Sequence, residues 1–294
     1  MKIGIAGTGR MGAAVASRLA SLGHEIMVWN RTPDKARAVA ANAGLKVAAT
    51  PKDLAAASEA VISFLTDAAA VQSVFEQLLE ADVKGKLFIE MSTVRPQVQK
   101  NLNEKVKKKG GGFVECPVGG TIGPAKEGKL FGFAGGEAAD VERAKPLLQQ
   151  MCRRVEHVGP AGAGASMKLA INLPLLVYWQ ALGEALSLIK NLNLDPARVM
   201  DILADTSGAP AMLKNRAATI AAALAGKEPG SITVNIDTMR KDLSEMAAEA
   251  RALGWSAPVT ERVLECFGRA SKDGLGAKDI VMLPVNWSSK PQKL

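Results

Sequence analysis

Lys2-Ile3-Gly4-Ile5-Ala6-Gly7-Thr8-Gly9-Arg10-Met11-Gly12 opens the chain, and an apolar helical pattern at Ala14, Val15 and Leu19 follows it. A short apolar run that feeds into G-x-G-x-x-G and then a helix reads as strand, tight turn, helix. Each glycine has its own task. The first permits the turn, the second lets backbone approach a pyrophosphate, and the third lets helix and strand pack closely. The helix start then offers free N–H groups and a positive dipole end to phosphates. The expectation is a dinucleotide held by Gly7, Thr8, Gly9, Arg10, Met11 and Gly12.

The next strand pattern, Glu25-Ile26-Met27-Val28-Trp29, ends at Asn30-Arg31-Thr32. An acidic side chain at this strand end binds the ribose hydroxyls of NAD, whereas NADP sites drop that charge and supply an arginine. Asn30 is neutral, Arg31 follows, and Thr32 adds a hydroxyl. These three predict NADP(H) preferred over NAD(H). The alternative for Arg31 is a plain surface charge in the turn before Pro33.

Strand and helix patterns alternate up to about residue 158. Strand-like segments are Ile3–Ala6, Ile26–Trp29, Ala60–Leu65, Lys86–Glu90, Gly112–Cys116, Phe131–Ala134 and Arg154–Val158. Such alternation predicts an α/β fold with a mostly parallel sheet covered on both faces, a doubly wound Rossmann-type domain. Thr50-Pro51-Lys52-Asp53 reads as an N-cap, a first-turn proline and an acidic first turn. Beyond Gly159-Pro160-Ala161-Gly162-Ala163-Gly164 helices dominate. One long helix is expected from about Ala165 to Asn191, bent or locally opened at Pro174. Others start at Asp195-Pro196, end near Ala225-Gly226, and run over Asn235–Leu253 and Pro258–Ala270. Trp287 to Leu294 is expected to be frayed. The division is placed at 1–162, the dinucleotide-binding domain, and 163–294, an all-α substrate and dimerisation domain reached by a long inter-domain helix.

Composition bounds the partners. The 294 residues suffice for two domains, and 48% hydrophobic with 22% charged content is ordinary for a globular chain. The three cysteines, Cys116, Cys152 and Cys266, are scattered and odd in number, which fits a reducing, cytoplasmic compartment better than a disulfide framework. Two histidines, His24 and His157, are too few for a histidine metal site, so no metal is expected. No signal peptide is expected, because the strand bearing the glycine motif begins at residue 2. The longest apolar stretch, Leu169 to Leu188, is broken by Asn172, Pro174, Gln180 and Glu184, so no membrane association is expected. The net charge of +8 raises nucleic acid as a partner. Its densest run, Lys105-Val106-Lys107-Lys108-Lys109, sits where a helix ends and suits the negative dipole end. It is read as a solvated terminus, so no nucleic-acid partner is expected.

Lys168 and Asn172 lie four apart and share a helical face. A buried lysine with a lowered pKa can serve as general acid or base, and an amide one turn on can bond the same substrate oxygen. An ordinary surface lysine and a helix-interior asparagine are the alternative.

These residues resemble the β-hydroxyacid dehydrogenases, the family of 3-hydroxyisobutyrate dehydrogenase, tartronate semialdehyde reductase and the glyoxylate/succinic semialdehyde reductases. Gly7–Gly12 resembles its G-x-G-x-M-G, and Met91-Ser92-Thr93-Val94-Arg95-Pro96 its S-T-x-x-P loop. Glu115-Cys116-Pro117-Val118-Gly119-Gly120 is similar to D-x-P-V-S-G-G. Gly159 to Lys168 followed by Asn172 is similar to G-x-x-G-x-G-x-x-x-K-x-x-x-N, and Lys241-Asp242-Leu243 to a late K-D-L. The resemblance covers nearly the whole chain. It implies catalysis by Lys168 and Asn172, with Thr93, Gly119, Gly120, Thr121, Lys168 and Asn172 binding a small carboxylate substrate. It places Leu65, Thr66, Thr93 and Lys241 on the cofactor, and it implies a homodimer or homotetramer. An alternative for Lys241 is a salt bridge with Glu245. One departure stands out: Gly119 replaces the serine that would help hold the carboxylate, which puts the substrate in doubt. Pro174 is also unusual in the site helix. Rival readings are a glyoxylate/succinic semialdehyde reductase or an imine reductase-like enzyme and, more remotely, a non-catalytic cofactor-binding interaction module.

Overall fold

The computed structural model describes residues 1–289. They divide into two compact units, Met1–Leu169 and the chain from Ala170 onward. In the first, β1 (Lys2–Ala6), α1 (Arg10–Ser21), β2 (Glu25–Trp29), α2 (Pro33–Ala43), β3 (Lys46–Val47) and α3 (Pro51–Ala57) follow in turn. Then come β4 (Ala60–Ser63), α4 (Ala68–Leu78), β5 (Leu87–Glu90), α5 (Pro96–Lys108) and β6 (Gly112–Glu115). The unit continues with β7 (Val118–Gly119), α6 (Ile122–Glu127), β8 (Leu130–Gly136), α7 (Ala138–Met151) and β9 (Cys152–Gly159).

All nine strands form one sheet ordered β3-β2-β1-β4-β5-β6-β8-β7, with β9 added to β8. The first six are parallel neighbours. At β6 the direction changes: β8 runs antiparallel to β6 and β7, and β9 parallel to β8. Strands β4, β5 and β6 are buried along their whole length, which is why they read as unbroken apolar runs. Side chains alternate between two cores. Ile3 and Ile5 pack with Val15, Leu19, Val141 and Leu148 on the face covered by α1 and α7. Ala6 and Val61 pack with Leu54, Phe75, Leu102 and Val106 under α3, α4 and α5.

Local signals land where they were read. Thr50 and Asp53 form a reciprocal capping box with Pro51 in the first turn. The lysine run does end α5, yet it is more than a solvated terminus: Lys107 pairs with Glu137 at 2.6 Å and with Asp140 at 2.7 Å. His24 bonds Gln150 at 2.7 Å, and His157 lies 3.0 Å from the Gly136 carbonyl.

Helix α8 (Ala163–Leu188) is continuous through Pro174 and crosses from the first unit into the second. The opening expected at Pro174 is not seen. The reading of the apolar stretch as broken up is also corrected: by length and composition α8 could cross a membrane, as the core helix of a globular protein also could. A short 3-10 turn (Lys190–Leu192) follows, then α9 (Pro196–Ala204), α10 (Ala211–Leu224), α11 (Ile236–Ala252), α12 (Pro258–Ala270) and α13 (Met282–Ser289). Asp195 caps α9 through Ala197 and Arg198, and Asn235 caps α11. Buried Asp279 accepts from Arg216 at 2.6 Å, from the Thr233 amide at 2.7 Å and from the Val281 amide at 3.1 Å. Trp287 lies inside α13 with Arg269 over its ring, so the fraying expected from Trp287 does not hold through Ser289. The rest of that stretch lies outside the described residues.

Candidate active site

The sheet order places β1 at the point where the winding reverses, with β2 on one side and β4 on the other. Parallel sheets bind ligands in the crevice outside the carboxyl ends of strands at such a reversal. Gly7 follows β1, Asn30 follows β2, Leu65 and Thr66 come just after β4, and Thr93 after β5, so these predicted residues share one edge.

The glycine loop is built for close approach. Gly7 has φ +97°, and a Cβ there would run into the Phe64 carbonyl oxygen. A Cβ on Gly12 would overlap the Gly7 carbonyl oxygen, so helix and loop pack directly on each other. Gly9 differs. It precedes α1 with φ −66°, and a Cβ there would meet no protein atom within 4 Å. Nothing in the protein requires glycine at position 9, so the open space fits a bound group. The buried Thr8 hydroxyl, without a hydrogen-bond partner in the protein, points the same way. These features fit a dinucleotide pyrophosphate.

Asn30 is part of this loop. Its Oδ1 accepts from the Thr8 amide at 3.1 Å, and its Nδ2 donates to the Thr32 carbonyl at 3.1 Å. Arg31 and Thr32 are exposed beside it. The strand end therefore carries no carboxylate, and Asn30 is held in place by both bonds.

Beneath the neighbouring loops lies a polar network that the sequence reading missed. Glu90 closes β5 and is fully buried. It accepts from the Ser92 amide at 3.0 Å, from the Ser63 hydroxyl at 3.4 Å, and from the Gln99 amide. Ser92 Oγ in turn accepts from the Leu65 amide at 2.8 Å, which ties the loop after β4 to the loop holding Thr93. Desolvation pushes the Glu90 carboxyl up to about 7, against the lowering effect of those donors. The only available signal was an acidic residue ending an apolar strand, Leu87-Phe88-Ile89-Glu90.

Glu115 stands opposite Glu90 in the register of β5 and β6. Its Oε1 accepts from the Gly162 amide at 2.6 Å and the Gly164 amide at 2.8 Å. Burial raises this carboxyl to about 7 as well. The segment holding Gly119, Gly120 and Thr121 runs next. Gly119 pairs with Phe131 of β8, and Gly120 and Thr121 are exposed.

Lys168 is buried in the second turn of α8, and Asn172 follows one turn later on a half-buried position. Their spacing on one continuous helix gives them the shared face expected of them. Lys241 lies in α11 of the second unit and pairs with the adjacent Asp242 at 2.6 Å. Among the described residues no group of three or more His, Cys, Asp or Glu could hold a metal.

Comparison with known proteins agrees with this architecture. Residues 2–159 match the NAD-binding domain of 6-phosphogluconate dehydrogenase. Residues 162–284 match the NAD-binding domain of NADP-dependent 3-hydroxyisobutyrate dehydrogenase. The chain is 31% identical over 282 residues to glyoxylate/succinic semialdehyde reductase 1 of Arabidopsis thaliana, covering 95% of this chain and 96% of the relative. It is 27% identical to the cytokine-like nuclear factor N-PAC of Anopheles gambiae, covering 95% of this chain but only 49% of that longer protein. The structure of Mycobacterium tuberculosis 3-hydroxyisobutyrate dehydrogenase with L-serine superposes with a TM-score of 0.82 at 25% identity, covering 97% and 98% of the two chains. With an NAD(P)-binding sheet domain, a helical domain after it and matching models over both, the chain belongs to the β-hydroxyacid dehydrogenases of the 3-hydroxyisobutyrate dehydrogenase type.

Proposed function

We propose that this protein interconverts a small β-hydroxyacid and its semialdehyde or keto acid, with NADP(H) preferred over NAD(H) and Lys168 as general acid and base. The observation that carries the reading is a buried lysine in the second turn of a helix whose first residues are held at the carboxyl end of β6.

The nicotinamide cofactor supplies or accepts the hydride. The chain's own residues do the rest. Lys168 Nζ donates a proton to the substrate oxygen in reduction and takes it back in oxidation, while the Asn172 amide holds that oxygen in line. Backbone N–H groups of Gly119 and Gly120, with the Thr121 and Thr93 hydroxyls, hold the substrate carboxylate. The neutral Asn30, with Arg31 and Thr32, receives a 2′-phosphate. Leu65, Thr66, Thr93 and Lys241 line the remainder of the cofactor. Glyoxylate, succinic semialdehyde, tartronate semialdehyde and methylmalonate semialdehyde, assayed with NADPH and NADH, cover the substrate class.

Lys168→Ala tests the assignment. Turnover should fall by roughly a hundred- to ten-thousand-fold with cofactor affinity retained. A folded variant that keeps more than about a third of wild-type turnover refutes it, being far above that range.

A homodimer or homotetramer is part of the proposal. In α8, Leu176, Trp179, Leu182 and Leu186 are buried, while Met167, Ile171 and Leu188 stay exposed, which suits a helix with a second partner. A monomer by light scattering at micromolar concentration would oppose it. Similarity to N-PAC and the charge of +8 favour one rival, a cofactor-binding interaction module. NADPH oxidation with semialdehydes, set against a DNA mobility shift, separates the two.

A further inference from the structure

Glu115 is a buried carboxylate that the reaction just described does not use, and its surroundings are unusual. It ends β6 with no exposed surface. One oxygen, Oε1, gathers amides of the segment that begins α8: Gly162 at 2.6 Å and Gly164 at 2.8 Å. The other oxygen, Oε2, is buried without a hydrogen-bond partner. The carboxyl therefore spends its contacts on one short segment, 47 and 49 residues away in sequence.

The surroundings are cut to admit this contact. A Cβ on Gly135, which faces Glu115 across β6 and β8, would overlap Oε1. A Cβ on Gly164 would overlap the Phe133 carbonyl oxygen of β8. Two glycines, on different elements, thus let the helix start lie directly on the sheet with the carboxylate between them. The first N–H groups of a helix have no partners within it. Here a side chain of the sheet takes their place, and a carboxylate also complements the positive end of the helix. Gly164 precedes Lys168 by one helical turn, so the Lys168 amide bonds to the residue whose own amide Glu115 holds.

We propose that Glu115 is a positioning residue for Lys168: it fixes the start of α8 on the end of β6 and so sets where the lysine ammonium stands. Glu115 touches neither substrate nor cofactor in this role. The inference rests on the reading of Lys168 as the acid–base group. A displacement of about 1 Å in a reacting group can cost about a hundredfold in rate, so a loosened helix start reads out in turnover.

The test uses the full chain, with hydrogen–deuterium exchange and NADPH oxidation by succinic semialdehyde. In Glu115→Ala, backbone exchange over 159–168 should accelerate by roughly tenfold or more while α1 is unchanged. Turnover should fall by about ten- to a hundredfold with both KM values within about threefold of wild type. Glu115→Gln keeps an oxygen where Oε1 stands, so it should retain protection of 159–168 and most of the turnover. Unchanged exchange over 159–168 in the alanine variant overturns the clamp. A glutamine variant with full protection but turnover as low as the alanine variant overturns positioning. Should the alanine variant not fold, the glutamine variant decides on the same two readouts: protection and turnover that are kept together or lost together support positioning, and loss of one without the other overturns it. Failure of the Lys168 reading shows separately, as Lys168→Ala that still turns over, and exchange over 159–168 does not depend on substrate at all.

Discussion

Gly9→Ala separates what the glycine loop does for the fold from what it does for a ligand. A Cβ at this position meets no protein atom within 4 Å, and φ is −66°, open to any residue. The cost to the fold is confined to the exchange of glycine for alanine at the residue preceding α1, on the order of 0.5 kcal/mol. For a chain of this size that is a shift of about 1 °C in Tm. The cost to a dinucleotide is larger, because the methyl group occupies the approach to the pyrophosphate. Loss of one good charge-assisted hydrogen bond from loop to phosphate is about 1.5–3 kcal/mol, so NADPH affinity should fall by roughly ten- to a hundredfold. Gly12→Ala provides the contrast. Its Cβ would overlap the Gly7 carbonyl, so it should lower Tm well before any cofactor is added. Thermal unfolding without cofactor and fluorescence titration with NADPH read the two effects separately. Wild-type NADPH affinity in a folded Gly9→Ala variant would refute the placement of the pyrophosphate over this loop.

Other expectations follow from the same geometry. Asn30→Asp keeps the acceptor for the Thr8 amide but loses the donor to Thr32 and adds a charge, so the kcat/KM ratio should move toward NADH by about tenfold; equal or tighter NADPH binding would place the adenosine end elsewhere. Gly119→Ser should fold normally, since its Cβ would sit 3.8 Å from the Phe133 ring and 3.9 Å from Phe131. Its hydroxyl should lower KM for a carboxylate substrate by roughly threefold, and an unchanged KM would show that the carboxylate binds away from this segment. Glu90 and Glu115 are raised from 4.5 to about 7 in the folded protein. Between those values the native state holds protons that the unfolded chain has released, so stability should fall as pH rises through this window. Glu90→Gln should flatten that slope in urea unfolding at pH 5 and pH 8. Gln99 can turn its amide over to receive the new donor, because its own oxygen lacks a partner; an unaltered slope would remove Glu90 as its source.

What could be read in advance was what the chain writes contiguously. The glycine loop, the capping box at Thr50 and the start of α9 at Asp195-Pro196 each depend on residues a few positions apart, and each lies where it was read. Two short strands, Lys46–Val47 and Val118–Gly119, went unseen because two residues show no period. The antiparallel turn of the sheet at β8 was equally hidden, since pairing direction is a property of the assembled sheet. The carboxylates under the loops were the largest omission. Glu90 finds Gln99 nine residues away, but Glu115 finds its donors 47 and 49 residues away, and only the folded chain joins them. Pro174 left two outcomes open, a bend or a local opening, and the helix runs without interruption across it.

The reach of Glu115 across the end of β9 also decides where the first unit can be cut. Severing the chain just after Gly159 would leave all nine strands whole and every strand pairing in place. It would also strand the Glu115 carboxyl at the end of β6, stripped of the amides that receive it. A cut between residues 162 and 163, where composition changes, takes one donor and loses the next. The sheet is finished at β9, but the unit becomes self-sufficient only several residues into the following helix. A fragment meant to bind dinucleotide alone should therefore carry the opening turns of α8, through Leu169, as a splint.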